Sequence, residues 1–253
     1  MIPFFRKIRK KMADDNRPLK YARYAIGEIL LVVVGILIAL QINNWNEGRK
    51  QKIQLNNIYS IVRENLMTDL LNIEKTIDYY KKREFLIEEI LTKEYSSTFL
   101  DSIDESNYLE CEPCQGQIAM FESFNQQING FELLKDYNES SSLDTKRLSN
   151  EIIQFYSDTG STLAVYMSFI RSEAYSNLKF YEEFPWYIDY MNKTYNPEAV
   201  QFFTQNQTYK NKAATYKNIS ISNFLENLRD YKEKASDFVI LLEEQLKGEN
   251  NNE

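Results

Sequence analysis

Twelve consecutive residues, Ile29 to Leu40 (ILLVVVGILIAL), carry no polar side chain. From Tyr24 to Ile42 the run extends to nineteen residues with Glu28 as the sole charge. At about 1.5 Å rise per residue such a helix is roughly 28 Å long, close to the hydrocarbon thickness of a bilayer. Tyr21 and Tyr24 stand at one end and Trp45 at the other, where aromatic side chains favour the membrane–water interface. A helix apolar on every face must be surrounded either by protein or by lipid, and this length and flanking favour lipid. A cleaved signal peptide would have a shorter basic region and a small-residue cleavage pattern after the apolar run. Ala39-Leu40-Gln41-Ile42-Asn43 follows instead, so the segment reads as an uncleaved signal anchor.

Charge sets the expected orientation. Residues 1–23 hold eight basic residues against Asp14 and Asp15, a net +6, which leaves −13 for the rest of a chain whose total is −7. Basic residues beside a span stay in the cytoplasm, so the N-terminus is expected inside and everything after Trp45 outside. The acidic remainder repels phosphate backbones, which argues against nucleic acid as a partner. The basic tail suits an anionic lipid surface. The expected organisation is a cytoplasmic tail (1–23), a transmembrane helix (24–45), an outer helical domain (46–247) and a disordered tail (248–253).

Several residues of the span offer more than anchoring. Gly35 and Ala39 form a small-xxx-small pair, with Gly27 two turns earlier on the same ridge, which lets a second helix approach closely. The partner would be a second copy or another membrane protein. Glu28 lies one turn inside the cytoplasmic end. It either meets a partner's basic residue or snorkels to the headgroups near Lys20 and Arg23.

Phe4-Phe5-Arg6-Lys7-Ile8-Arg9, Tyr24-Ala25-Ile26-Gly27-Glu28-Ile29 and Gly35-Ile36-Leu37-Ile38-Ala39-Leu40-Gln41-Ile42-Asn43-Asn44-Trp45-Asn46-Glu47 together resemble a family of uncharacterised single-pass proteins of Bacteroidota bacteria. The likeness is dense over the first 50 residues or so and looser at segments such as 131–135 and 143–156. It implies a bacterial inner-membrane protein facing the periplasm, with no established activity to carry over.

Beyond Trp45 the chain reads as all-α. Only seven Gly and five Pro punctuate 253 residues, too few turn formers for many strands. After a possible kink at residues 46–50, Leu55, Ile58, Val62, Leu66, Leu70, Ile73, Ile77 and Tyr80 recur every three or four residues, which predicts a helix to about Thr92. Residues 95–116 read as turns. Ile118, Phe121, Phe124 and Ile128 are in helical phase, predicting a short helix capped by Gly130. A loop at 138–142 precedes a long helix over 143–183. Asn196-Pro197-Glu198 is a helix start, and a last helix covers 222–247. Long amphipathic helices joined by short links are expected to fold into an antiparallel bundle.

The chain contains no histidine, which removes Ser-His-Asp and Cys-His arrangements and H-E-x-x-H metal sites. No glycine-rich phosphate loop occurs, so no cofactor is implied. Cys111-Glu112-Pro113-Cys114 holds the only two cysteines; with no histidine they cannot complete a structural zinc site. Outside the cytoplasm they are read as a local disulfide, with free thiols or a redox-active pair as alternatives. Trp186, Tyr187 and Tyr190, beside Pro185, form either a surface for binding or a packed corner between helices. Two functions follow from these residues: a membrane-tethered interaction module or accessory subunit of a cell-envelope complex, or a periplasmic thiol oxidoreductase using Cys111 and Cys114.

Overall fold

The three-and-four spacing that begins at Ile58 closes on a buried surface. Ile58, Val62, Leu66, Ile73, Ile77 and Tyr80 all lose their solvent contact. They lie on helix α1, Pro18–Thr92, which ends at the residue that the sequence pattern indicates. The helix runs unbroken through residues 46–50, so the possible kink there does not occur. The computed structural model describes residues 18–140 and 147–250. It divides into two compact units, Met1–Leu55 and Asn56–Glu253, with the division inside α1.

In the second unit the end of α1 is followed by α2 (Ser97–Asp101) and two 3-10 turns, Tyr108–Glu110 and Glu112–Gln115. Then come α3 (Asn129–Ser140), α4 (Arg147–Phe155), α5 (Ser161–Tyr181), α6 (Tyr187–Asn192), α7 (Pro197–Gln205), α8 (Gln207–Lys217) and α9 (Glu226–Asn250). Among the described residues there is no strand, so the fold is all-α. Asn196 starts α7 as its residue type suggests: its side chain accepts hydrogen bonds from the backbone N–H of Glu198 and Ala199, with Pro197 at the first helical position. Asn206 caps α8 in the same manner, a helix not indicated by the apolar spacing. α9 continues to Asn250, past the tail expected to be disordered from residue 248, and residues 138–140 of the loop expected over 138–142 form the end of α3; residues 141–142, the expected helix start at 143 and residues 251–253 lie outside the described residues.

The short helix expected over 118–130 is absent. Residues 121–128 are non-helical, and Gly130 lies in the first turn of α3. The reason is where the backbone hydrogen bonds go. The Tyr209 hydroxyl accepts from the Gln117 N–H at 3.0 Å, and Asn177 Nδ2 donates to the Ile118 carbonyl at 3.0 Å. Tyr216 donates to the Met120 carbonyl at 2.7 Å and Tyr80 to the Glu122 carbonyl at 2.9 Å. Asp69 accepts from the Gln127 N–H at 3.0 Å, and Asn65 from the Gly130 N–H at 2.8 Å. Buried peptide groups must be paired, and here side chains from α1, α5 and α8 replace the helical ladder. Ile118 and Phe124 thereby reach the core from a non-helical backbone. Gly130 is required because a Cβ there would lie 2.8 Å from the Val62 backbone.

Two π-helical segments, Tyr156–Gly160 and Asn218–Leu225, interrupt what would otherwise be the long helices α4–α5 and α8–α9. A π turn shifts helical register and loosens the local backbone ladder. At the first, the Gly160 carbonyl accepts from the Gln126 side-chain amide, another tie to the extended segment.

Candidate functional site

In the first unit, every valine, leucine and isoleucine from Ile26 to Ile42 is 44–72% exposed, and Trp45 is 68% exposed. An eighteen-residue window here has a mean hydropathy of 2.6 with none of it buried, so this helix is long and apolar enough to cross a membrane. A Cβ added at Gly27 or Gly35 would meet nothing within 4 Å. Ala39 is exposed as well, so the ridge Gly27, Gly35 and Ala39 is open along its length. Glu28, on the same stretch, is half-buried.

Cys111 and Cys114 are disulfide-bonded, with Cα atoms 5.3 Å apart. The bond ties the second 3-10 turn to Cys111, the residue between the two turns, and the Cys114 N–H also donates to the Cys111 carbonyl at 3.0 Å. Gln115 donates its side-chain amide to the Leu109 carbonyl at 2.8 Å, and Gly116 leaves the turn with φ +64°, a conformation glycine adopts without strain. Both sulfur-bearing residues are buried with Ile103, Tyr108 and Val200. A cleft of about 310 Å³ lies alongside, lined by Cys111 and Pro113, by Phe99 and Ile103, and by the Glu89–Lys93 ion pair.

The aromatic segment after Pro185 is divided by the fold. Trp186 is only 3% exposed, so it is core and not a surface-binding residue. Its ring stacks on Phe184 at 5.0 Å and packs against Phe202 and Phe203. Tyr190 packs edge-on to Tyr181 and is half-buried, as is Tyr187. The physical cause is α7, whose Phe202 and Phe203 supply the apolar faces that this segment covers.

One buried group was not singled out by the sequence. Asp69 has no exposure, yet its carboxylate accepts from the Tyr231 hydroxyl at 2.7 Å as well as from Gln127. Burial pushes its pKa up from 3.8 to about 6, against the lowering effect of those two hydrogen bonds. The signal was present: Asp69 sits three residues after Leu66 and four before Ile73, on the apolar stripe. Among the described residues no cluster of acidic or cysteine side chains is arranged to hold a metal ion.

Residues 28–108 match a family described as a family of unknown function (DUF6090). The matched stretch takes in most of the apolar run and the whole of α1 beyond Glu28, and ends before Cys111. No curated protein and no solved structure matches the chain.

Proposed function

We propose that the chain is a single-pass protein of the bacterial inner membrane, with its N-terminus in the cytoplasm and an antiparallel helical bundle in the periplasm that serves as an interaction module or accessory subunit of a cell-envelope complex. The observation that carries this reading is the run of exposed apolar residues from Ile29 to Leu40, uninterrupted by any polar side chain. Left in water, side chains of this kind each forgo about 1.5–3 kcal/mol of burial, a cost that lipid removes. The +6 tail supports the orientation. The open ridge at Gly27, Gly35 and Ala39 supports a helix partner, a second copy of the chain or another membrane protein, because lipid gives helices no hydrophobic reason to associate and close packing must supply it.

Gly35→Leu and Glu28→Gln test the ridge and the charge separately. A Cβ at residue 35 meets nothing within 4 Å among the described residues beyond its own stretch of helix, so a loss of association by Gly35→Leu with insertion intact points to loss of a partner. Crosslinking of the intact protein in membranes, followed by an in-membrane association assay of the segment with itself and with what is captured, should show association that Gly35→Leu weakens while insertion stays intact. Parental association by both variants would reduce the helix to an anchor.

The thiol oxidoreductase reading has one observation in its favour, since Cys111 lines the cleft beside the disulfide. Against it stands Cys114, fully buried among apolar side chains. An exchange reaction at Cys111 would release Cys114 as a thiolate among apolar side chains that solvate the anion poorly, which makes it a poor leaving group. Rapid reduction of the intact protein by a small dithiol, with turnover on a peptide disulfide, would favour this second reading.

A further inference from the structure

The ring of Trp186 belongs to the core, packed against Phe184, Phe202 and Phe203, but an indole also carries one hydrogen-bond donor. Among the described residues nothing accepts from its Nε1–H, and that atom is not sealed in the interior, so the 3% of the residue that stays exposed includes it. Trp186 forms the floor of a cleft of about 390 Å³ whose wall is the outer face of α7. Glu198, Gln201, Phe202 and Gln205 stand at i, i+3, i+4 and i+7 on that face, and Asn206 follows the end of the helix. Phe202 is only 6% exposed, so what the wall presents is polar. The Glu198 carboxylate and the Gln201 amide have no partner among the described residues. Gln205 donates its Nε2 to the Tyr95 carbonyl at 3.2 Å, which leaves Oε1 as an acceptor. Asn206 accepts from the Tyr209 N–H through Oδ1 at 3.0 Å, which leaves Nδ2 as a donor.

A nearly buried donor with no protein acceptor depends on what fills the space before it. Indole and amide N–H groups here adjoin amide and carboxylate oxygens, so a fitting occupant both donates and accepts over a short distance. Hydroxyl groups do both. No lysine or arginine lines the cleft, so nothing in it holds an anion, and the single carboxylate would give a cation one contact while leaving the amides unused. A peptide lacks its usual footing: there is no strand edge among the described residues, and Trp186 and Phe202 are too covered to make an apolar or aromatic groove. The volume lies in the ordinary range of small-molecule sites, where a few placed polar groups fix the ligand.

We propose that the cleft between Trp186 and α7 binds an uncharged saccharide. The Trp186 N–H and the Asn206 amide donate to hydroxyl oxygens of the sugar, while Glu198, Gln201 and Gln205 accept from its hydroxyls. The site is separate from the ridge at Gly35 and Ala39 and does not depend on a partner there.

The chain has two tryptophans, so in the full-length Trp45→Phe protein the emission of Trp186 alone reports on the cleft. In a detergent without a sugar headgroup, titration with maltotriose, cellotriose or triacetylchitotriose should change that emission saturably for at least one of the three. Gln201→Ala removes an exposed side chain with no partner in the chain, so the circular dichroism should stay that of the parent while the affinity falls about fivefold. No saturable change with any of the three sugars, or a change that Gln201→Ala leaves at full affinity, overturns the proposal. Saturation by tetramethylammonium and by no saccharide overturns it as well and gives the cleft to cations through Glu198.

Discussion

Two stretches of α1 carry the same kinds of residue to opposite ends. Between Ile26 and Ile42, isoleucine, leucine and valine lie open on every side of the helix. Between Ile58 and Tyr80, isoleucine, leucine and valine fall mainly on one face and are buried there, while the opposite face is mostly charged and polar, with Leu71 the exposed exception among them. The difference is periodicity, not composition. An apolar stripe specifies a protein partner along one line of contact, whereas an apolar cylinder has no preferred side and calls for an apolar solvent. In the reading proposed here lipid is that solvent, and only the small residues on one ridge restore a preferred side.

The largest expected effect falls on the first stretch. Val33→Lys, Ile36→Lys and Leu40→Lys combined should release the protein from membranes under alkaline carbonate, since each lysine near mid-bilayer costs about 2.5–3.5 kcal/mol. The far-ultraviolet circular dichroism of the outer domain and its Tm should stay near the parent's. Unfolding of that domain would break the comparison by showing that the apolar cylinder is part of its core.

Gly130→Leu acts on the second stretch. The added side chain must pass the Val62 backbone, 2.8 Å from the Cβ position, so a loss of roughly 2–3 kcal/mol in chemical denaturation is expected. A change below half of that would mean that the extended segment is not held against α1.

Asp69 gives a pH dependence of known sign. Its folded pKa, about 6, is above the ordinary 3.8 because burial disfavours the anion, so the folded state binds its proton more tightly than the unfolded chain does. The resulting stabilisation is fully present below about pH 4 and is lost as pH rises through about 6. Relative to Asp69→Asn, the parent should gain roughly 2 kcal/mol between pH 7 and pH 4. A parent that loses stability relative to the variant over that window would contradict the sign.

An effect no larger is expected at the disulfide. Four residues are enclosed between Cys111 and Cys114 inclusive, and loop-closure entropy for so short a loop is about 2 kcal/mol. Cys111→Ser with Cys114→Ser should therefore lower stability by about that amount and leave a folded helical domain at room temperature. Loss of all helical signal would show that the bond organises the fold.

Where neighbours in sequence settle the structure, it was legible. The end of α1 at Thr92 and the Asn196 cap follow from spacing and residue type within a few positions. The stretch from Gln117 to Ile128 departs from its pattern because Ile118, Phe121, Phe124 and Ile128 satisfy helical spacing, while the hydroxyls and amides that hold it in a non-helical path come from 42 to 96 residues away in the case of Tyr80, Asn177, Tyr209 and Tyr216. Of the 18 tyrosines, Tyr80 and Tyr216 are thus donors to backbone carbonyls of this segment and Tyr209 an acceptor from its Gln117 N–H. Trp186 was offered as surface or as corner, and only the later Phe202 and Phe203 decide for the corner. The π turns leave the apolar spacing almost unchanged, so a single sequence gives no warning of them.

The measurement that bears most directly on the central claim is topological. Alkaline phosphatase fused after Lys247 in the full-length protein should be active and should sediment with the inner membrane, because the basic tail keeps the N-terminus inside and Tyr24 to Trp45 spans. A stable fusion that is inactive, or one that is active but soluble, would contradict the account.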